Sequence, residues 1–266
     1  PALLERILKL LQVPYVLDFD DAQFHKYDRS RSTFIRFILE GKIPTIIRDA
    51  KKVIVGNSYL AEYASRFTEA VEIIPTVVDL RKYPSRPTSQ ESAGFTVGWI
   101  GSPVTLEYLD YILPALKRLF AMINGRLVLV GVSDNPLPGI PVETIPWSEE
   151  REIALLQEFD VGIMPLPDRD FERGKCGLKL IQYMSCYLPV VASPVGVNRE
   201  LINHGKNGFI ASTQNEWFNA LECLYVNTEL RKTMGFAGRA IVEESFSLVT
   251  HADRVFSILQ EVGNPD

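Results

Sequence analysis

The feature that most constrains this chain is a repeated alternation of short β-branched runs, bounded by turn residues, with longer amphipathic stretches. That alternation is the signature of βα units laid on a parallel sheet. It occurs twice. In the first part the spacing predicts a helix over Pro1–Leu11, a strand over Tyr15–Phe19 and a helix over Thr33–Ala50 that Pro44 kinks or splits. A strand over Val53–Gly56, a helix over Tyr59–Phe67 and a strand over Val71–Ile74 follow. Pro75, Pro84 and Pro87 then cluster among Ser, Thr, Arg and Lys without apolar periodicity, which marks a linker.

The second set predicts strands over Phe95–Ile100, Arg126–Val130, Val142–Ile145, Val161–Met164, Pro189–Ala192 and Gly208–Ile210. Helices are expected between them, near Thr105–Ile123, Glu149–Glu158, Leu178–Cys186 and Arg199–Asn203. Three more, near Asn215–Val226, Leu230–Glu244 and Leu248–Val262, close the chain. The expected division is a first domain over 1–78, a linker over 79–94, a second domain over 95–245 and a closing helix, 246–266, packed back on the first domain. The first set is short for a mononucleotide-binding half, which begins with a strand and a glycine-rich turn. The sequence opens inside a helix at Pro1, so the first domain is expected to be incomplete.

Composition removes several classes of function. A net charge of −5 lacks the basic excess that binding to a phosphate backbone leaves behind, so nucleic acid is excluded as a partner. No apolar run approaches the roughly 18 residues that a membrane span needs, and Glu5 and Arg6 interrupt the start where a signal peptide is apolar. Cys176, Cys186 and Cys223 have no paired spacing, which points to a reducing cytoplasm. His25, His204 and His251 are too scattered for a sequence-local zinc motif.

The strongest local signal is Arg173-Gly-Lys-Cys-Gly-Leu-Lys179, which joins the strand ending at Met164 to the next helix. A strand-to-helix loop of this kind aims backbone N–H groups and a positive helix end at one spot, where open α/β sheets bind phosphates. Arg173, Lys175 and Lys179 bring positive charge there; the plain alternative is a solvated basic loop. Cys176 lies in the same loop, but thiolate catalysis wants a nearby His, and none is local.

From Phe171 to Gly196 the chain resembles the donor-site helix of retaining glycosyltransferases of the GT-B fold, family 4. That family reads Glu-x7-Glu, then Ala-Met-x-x-Gly-x-Pro-Val-Val-Ala. Pro189-Val-Val-Ala-Ser-Pro-Val-Gly196 matches closely, and Gln182 falls where the second Glu, the ribose ligand, is expected. Gly174 stands where the first Glu would lie by the donor sugar, with Asp170 and Glu172 as the nearby acids. Val97-Gly-Trp-Ile-Gly-Ser-Pro103 resembles the family's phosphate-side turn, and Ile73-Ile-Pro-Thr-Val-Val-Asp79 its interdomain crossing. Val130-Gly-Val132 and Ile145-Pro-Trp147 occupy the base-binding positions, where Trp147 either stacks on a base or serves as a half-buried core aromatic. Asn203-His-Gly-Lys-Asn-Gly-Phe209 resembles a structural turn of the family.

The resemblance implies an α/β chain of two Rossmann-like domains with the active site in the cleft between them. It implies a metal-independent, retaining, hexosyltransferase-type enzyme that moves a sugar from a nucleotide-diphosphate donor to a hydroxyl, needs no other cofactor and serves cytoplasmic glycan biosynthesis. Glycan or lipid-linked acceptors fit, which leaves peripheral membrane contact open. Carried onto this sequence, the donor would meet Gly101, Ser102, Trp147, Arg173, Lys175, Cys176, Gly177, Leu178, Lys179 and Gln182. Catalysis would fall to Asp20, Asp21 and Lys179, the Asp pair matching one branch of the family. A D-x-D reading, in which Asp18 and Asp20 hold a divalent cation, and a turn-capping role for these acids are the alternatives. The competing functions are a noncatalytic nucleotide-sugar binding domain and a sugar-nucleotide epimerase.

Overall fold

Both sheets are wholly parallel, as βα alternation requires. The computed structural model describes residues 2–84, 94–133 and 137–263 of the chain. Its first elements are α1 (Leu3–Leu10), β1 (Val16–Phe19), α2 (His25–Asp28), α3 (Thr33–Leu39), α4 (Lys42–Asp49), β2 (Lys52–Val55), α5 (Ser58–Ala64) and β3 (Val71–Ile73). There follow β4 (Phe95–Ile100), α6 (Leu113–Phe120), β5 (Gly125–Val130), β6 (Val142–Ile145), α7 (Glu149–Gln157), β7 (Val161–Met164), α8 (Asp170–Arg173) and α9 (Leu178–Ser185). The last are β8 (Val190–Ala192), α10 (Asn198–Leu201), β9 (Gly208–Ile210), α11 (Gln214–Val226), α12 (Thr228–Ser245) and α13 (Leu248–Gly263).

These elements form two units, the first from Pro1–Val77, Asp168–Cys176 and Leu248–Asp266, the second from Val78–Pro167 and Gly177–Ser247. Of the linker expected over 79–94, residues 85–93 lie outside those described. Before them Leu80–Lys82 makes a single 3-10 turn and Tyr83 is buried.

In the first unit the strand order is β1-β2-β3, and β2 is the buried centre, with Val53 and Val55 packed against Ile47, Leu60 and Phe24. The helix expected over Thr33–Ala50 is two helices, and the break differs from the one the sequence suggests. It falls at Glu40 and Gly41, while Pro44 sits inside the first turn of α4. In that turn an N–H has no partner within the helix, so proline removes nothing. Helix α13 belongs with this sheet, tied by an Arg254 Nη2–Glu72 Oε1 ion pair of 2.6 Å.

The second unit orders its strands β6-β5-β4-β7-β8-β9. Side chains alternate across this sheet with a period of two. Val97, Trp99, Leu127, Leu129, Val161 and Ile163 pack on one face with residues of α6 and α11. Ile100, Val128, Val130, Met164 and Val190 pack on the other with residues of α7 and α9. Burial on both faces is why these strands read as nearly continuous apolar runs. The helix expected over Thr105–Ile123 is replaced by a 3-10 stretch, Pro103–Tyr111, running into α6.

The chain starts this sheet at β4, winds outward to β6, then returns to lay β7 on the other side of β4. Neighbouring strands that wind in opposite directions leave a crevice beyond their carboxyl ends. Here β4 and β7 pair only at Val97↔Val161 and Gly98↔Gly162. Tyr183 of α9 is wholly buried, and its hydroxyl oxygen accepts from the Ile100 N–H at 2.9 Å. The same hydroxyl faces the Ile163 carbonyl at 3.4 Å. Tyr183→Phe leaves the Ile100 N–H without its acceptor and should lower the unfolding free energy by about 1–3 kcal/mol. Urea denaturation with an unchanged m-value checks this; an unaltered midpoint would show that the bond carries no net stability.

Candidate functional site

At the carboxyl end of β4, Trp99 is buried and Lys179 lies above its ring, Nζ 4.4 Å from the centroid. The lysine passes over Gly101, where a Cβ would stand 2.6 Å from Nζ and 2.4 Å from the indole. Gly101 therefore admits the lysine to the turn, and its own N–H donates to the Val130 carbonyl at 2.9 Å. Ser102 is exposed beside it. Lys179 belongs to the first turn of α9, whose N-cap is Gly177 at φ +75°, a left-handed conformation that disfavours any side chain. A helix start capped by glycine has backbone N–H groups and the positive dipole end in place of a capping oxygen. An ammonium and a helix N-terminus thus converge beyond β4, a combination suited to an anion.

Trp147, which follows β6, exposes 52% of its surface. Its indole N–H donates to Glu152 Oε2 at 2.5 Å. Gln182 is nearly buried, and its Nε2 donates to Glu152 Oε1 at 2.6 Å. Leu178 is half exposed.

The remaining predicted residues belong to the first unit. Asp20 and Asp21 follow β1, and Asp21 Oδ1 lies 3.9 Å from Lys175 Nζ. Burial raises the Asp21 carboxyl pKa above its ordinary value, with Lys175 as the largest opposing influence. Lys175 also lies over the Phe171 ring at 5.2 Å. Arg173 is engaged locally, Nε donating to Asp168 Oδ1 at 2.7 Å. The Cys176 thiol is buried and donates to the Asp20 carbonyl at 3.0 Å.

Asp18 lies within β1 while Asp20 lies beyond its end. Burial and then the Asp20 charge raise the Asp18 pKa. Among the described residues no three His, Cys, Asp or Glu side chains gather where they could hold a metal ion. No helix there is long and apolar enough to cross a membrane.

Two residues that the sequence did not single out organise these sets. Asn57, buried at the end of β2, caps α5 by accepting from the Leu60 N–H at 3.0 Å. Its amide donates to the Gly174 carbonyl at 3.0 Å and the Lys175 carbonyl at 3.3 Å, which fixes the loop carrying Lys175. An Asn before a helix is a visible cap signal; its second bond spans the fold and leaves no local trace. Glu152 sits among several acids at the start of α7, where a helix-dipole role is the ordinary expectation.

The profile of the family described as glycosyl transferases group 1 matches residues 94–227, just over half of the chain. The chain belongs to this family. A relative, the D-inositol 3-phosphate glycosyltransferase of Pseudarthrobacter chlorophenolicus, is 28% identical over 116 residues, 43% of this chain. That alignment spans 26% of the relative's length. Among solved structures, HepE of Anabaena in complex with UDP and glucose superposes with a TM-score of 0.77 at 18% identity. It is covered over 74% of its length, by 97% of this chain. Sucrose-phosphate synthase of Thermosynechococcus elongatus gives 0.74 at 19% identity, covering 96% of this chain and 70% of its own. At these identities the likeness establishes the fold, which is the GT-B class of two Rossmann-like domains.

In this group 1 glycosyltransferase chain, burial pushes the Cys176 thiol up to about 12, so it stays protonated at neutral pH. Iodoacetamide at pH 8 should alkylate Cys223, which is partly exposed, and leave Cys176 intact. Peptide mass mapping reads the outcome; fast labelling of Cys176 in folded protein would contradict the burial.

Proposed function

We propose that this chain transfers a sugar from a nucleoside-diphosphate donor to a hydroxyl acceptor with retention at the anomeric carbon and without a metal. The observation that carries the reading is Lys179, an ammonium set over Trp99 at the turn after β4 and on the first turn of α9. As the diphosphate departs, the sugar gains oxocarbenium character and negative charge grows on phosphate oxygen. A charge placed beforehand at that spot stabilises the transition state more than the ground state, which is what accelerates the step. Ser102 adds a hydroxyl donor, and the amides of the α9 first turn add partial positive charge. Trp147 offers its exposed face to the base. Gly177 and Leu178 open α9 on the donor side, two and one residues before Lys179. Asp20 and Asp21 are assigned to the acceptor side, where the raised pKa of Asp21 favours taking up a proton from a hydroxyl.

The UDP complex of HepE makes UDP-sugars the first donors to try, and the inositol phosphate named for the curated relative makes a polyol the first acceptor class. Lys179→Ala should lower turnover about 10²- to 10³-fold, the scale for removing one preorganised charge-stabilising donor. Activity should persist in excess EDTA. Unchanged turnover in folded Lys179→Ala would remove the lysine from the site. Loss of activity in EDTA, restored by Mn²⁺ and abolished by Asp20→Asn, would favour the D-x-D reading.

A further inference from the structure

Residues of α2 and α5 in the first unit border a cavity that none of the residues assigned above lines. Its volume of about 340 Å³ is at the small end for ligand pockets, which run from roughly 300 to 1,000 Å³. That suits a single ring better than a nucleotide.

The cavity wall holds a relay of fixed polarity. The His25 side chain is only 9% exposed, with Nδ1 3.0 Å from Asp28 Oδ1 and Nε2 2.8 Å from the Tyr59 hydroxyl. An ionised carboxylate only accepts, so Nδ1 carries the proton, and Nε2 of the neutral imidazole accepts from Tyr59. The Tyr59 O–H is thereby committed inside the protein, and its oxygen keeps an acceptor position. Tyr63, one turn further along α5, is 8% exposed and stacks on Phe24 with ring centroids 3.5 Å apart. Its hydroxyl has no hydrogen-bond partner among the described residues. Burial, and then the Asp28 charge, push its pKa up to about 12, so it keeps its proton at neutral pH. A buried donor left unpaired is costly, and a group seated in the cavity removes that cost.

The two tyrosines make opposite demands, Tyr59 for an incoming donor and Tyr63 for an incoming acceptor. A carboxylate supplies only acceptors and an ammonium only donors, whereas hydroxyls supply both. Each guanidinium in the lining is already paired with a carboxylate, Arg29 with Asp170 and Arg66 with Glu62 at 3.4 Å, which disfavours a phosphate. We infer that this cavity binds one ring of a polyhydroxylated ligand, a sugar or a cyclic polyol, with Tyr59 accepting from one hydroxyl and Tyr63 donating to another. Asp20, Asp21 and Lys175 do not line it. Under the transfer reading above it is therefore a holding subsite, for a ring of the acceptor other than the one that reacts. That assignment rests on the transfer reading; the binding itself does not.

The test is NMR titration of the full chain, without nucleotide, with glucose, mannose, myo-inositol and maltose, and separately with inorganic phosphate. The wild type should bind at least one of the polyols, and Y59F and Y63F should each weaken that binding about three- to tenfold, the scale of one lost hydrogen bond. Y63F keeps the stacked ring and removes only the unpartnered hydroxyl, so its thermal midpoint should not fall. A merely structural tyrosine would leave polyol affinity unchanged. Failure of every polyol to bind, binding of phosphate in their place, or wild-type affinity in both variants overturns the inference. Absence of sugar transfer with polyol binding intact would instead overturn the transfer reading and leave the cavity assignment standing.

Discussion

One buried hydroxyl governs the geometry of the second unit. Strands β4 and β7 wind in opposite directions and pair at two positions only. Past Gly98 and Gly162 their backbones have no mutual ladder, yet the Ile100 N–H is buried and needs an acceptor. Tyr183 supplies it. The tyrosine reaches that place because Gly162 has no Cβ; one there would lie 2.3 Å from its ring. Gly98 makes the same room for Phe159, where a Cβ would lie 1.8 Å from the ring. Two glycines, two rings and one hydroxyl therefore set where β4 ends, and with it where Trp99, Gly101 and Lys179 stand.

The first unit depends on a comparable side-chain bond. Asn57 uses its oxygen to start α5 and its amide to hold Gly174 and Lys175. An aspartate would start the helix equally well, but it would place acceptor oxygens against the two carbonyls. The position of Lys175 is thus set by an amide at the N-cap of α5, not by the loop's own sequence. Burial and the lysine then pull Asp21 in opposite directions, and burial is the larger influence. A lysine 3.9 Å away in a half-exposed site is too weakly coupled to reverse that order.

The sheets were legible in the sequence because parallel strands are buried on both faces, so each appears as an unbroken apolar run between turn residues. Among the described residues, each of the nine strands lies within about two residues of its expected limits. The break in Thr33–Ala50 was misjudged because Pro44 looked like the disruptor; proline disrupts only beyond the first turn, and the helix restarts just before it. Candidate residues contributed by one segment could be read together, since Lys175, Lys179 and Gln182 share a single strand-to-helix stretch. Glu152 could not, because its meaning lies in a bond to a residue thirty positions away. The sequence presents it as one of several acids at the start of a helix, and only the fold shows that two donors point at it.

The glycines of the Arg173-Gly-Lys-Cys-Gly segment show how one motif can answer to two demands. Read as a loop, Gly174 and Gly177 suggest backbone laid open to a phosphate. Each also has a packing reason that involves no ligand. A Cβ on Gly174 would lie 2.6 Å from Ala22 Cβ and 3.2 Å from Leu60, both in the first unit. A Cβ on Gly177 would lie 2.3 Å from Leu201 and 3.1 Å from Val197, both in the second, at a backbone angle that few side chains tolerate. The two glycines flank the point at which the chain passes from one unit's core to the other's. Lys175, on the first side of that point, is tied to Asp21; Lys179, on the second, stands on α9 over Trp99. A basic segment that reads as one cluster is therefore divided by its own glycines into two charges with different partners, and the chemistry assigned to each follows from the core its glycine packs against.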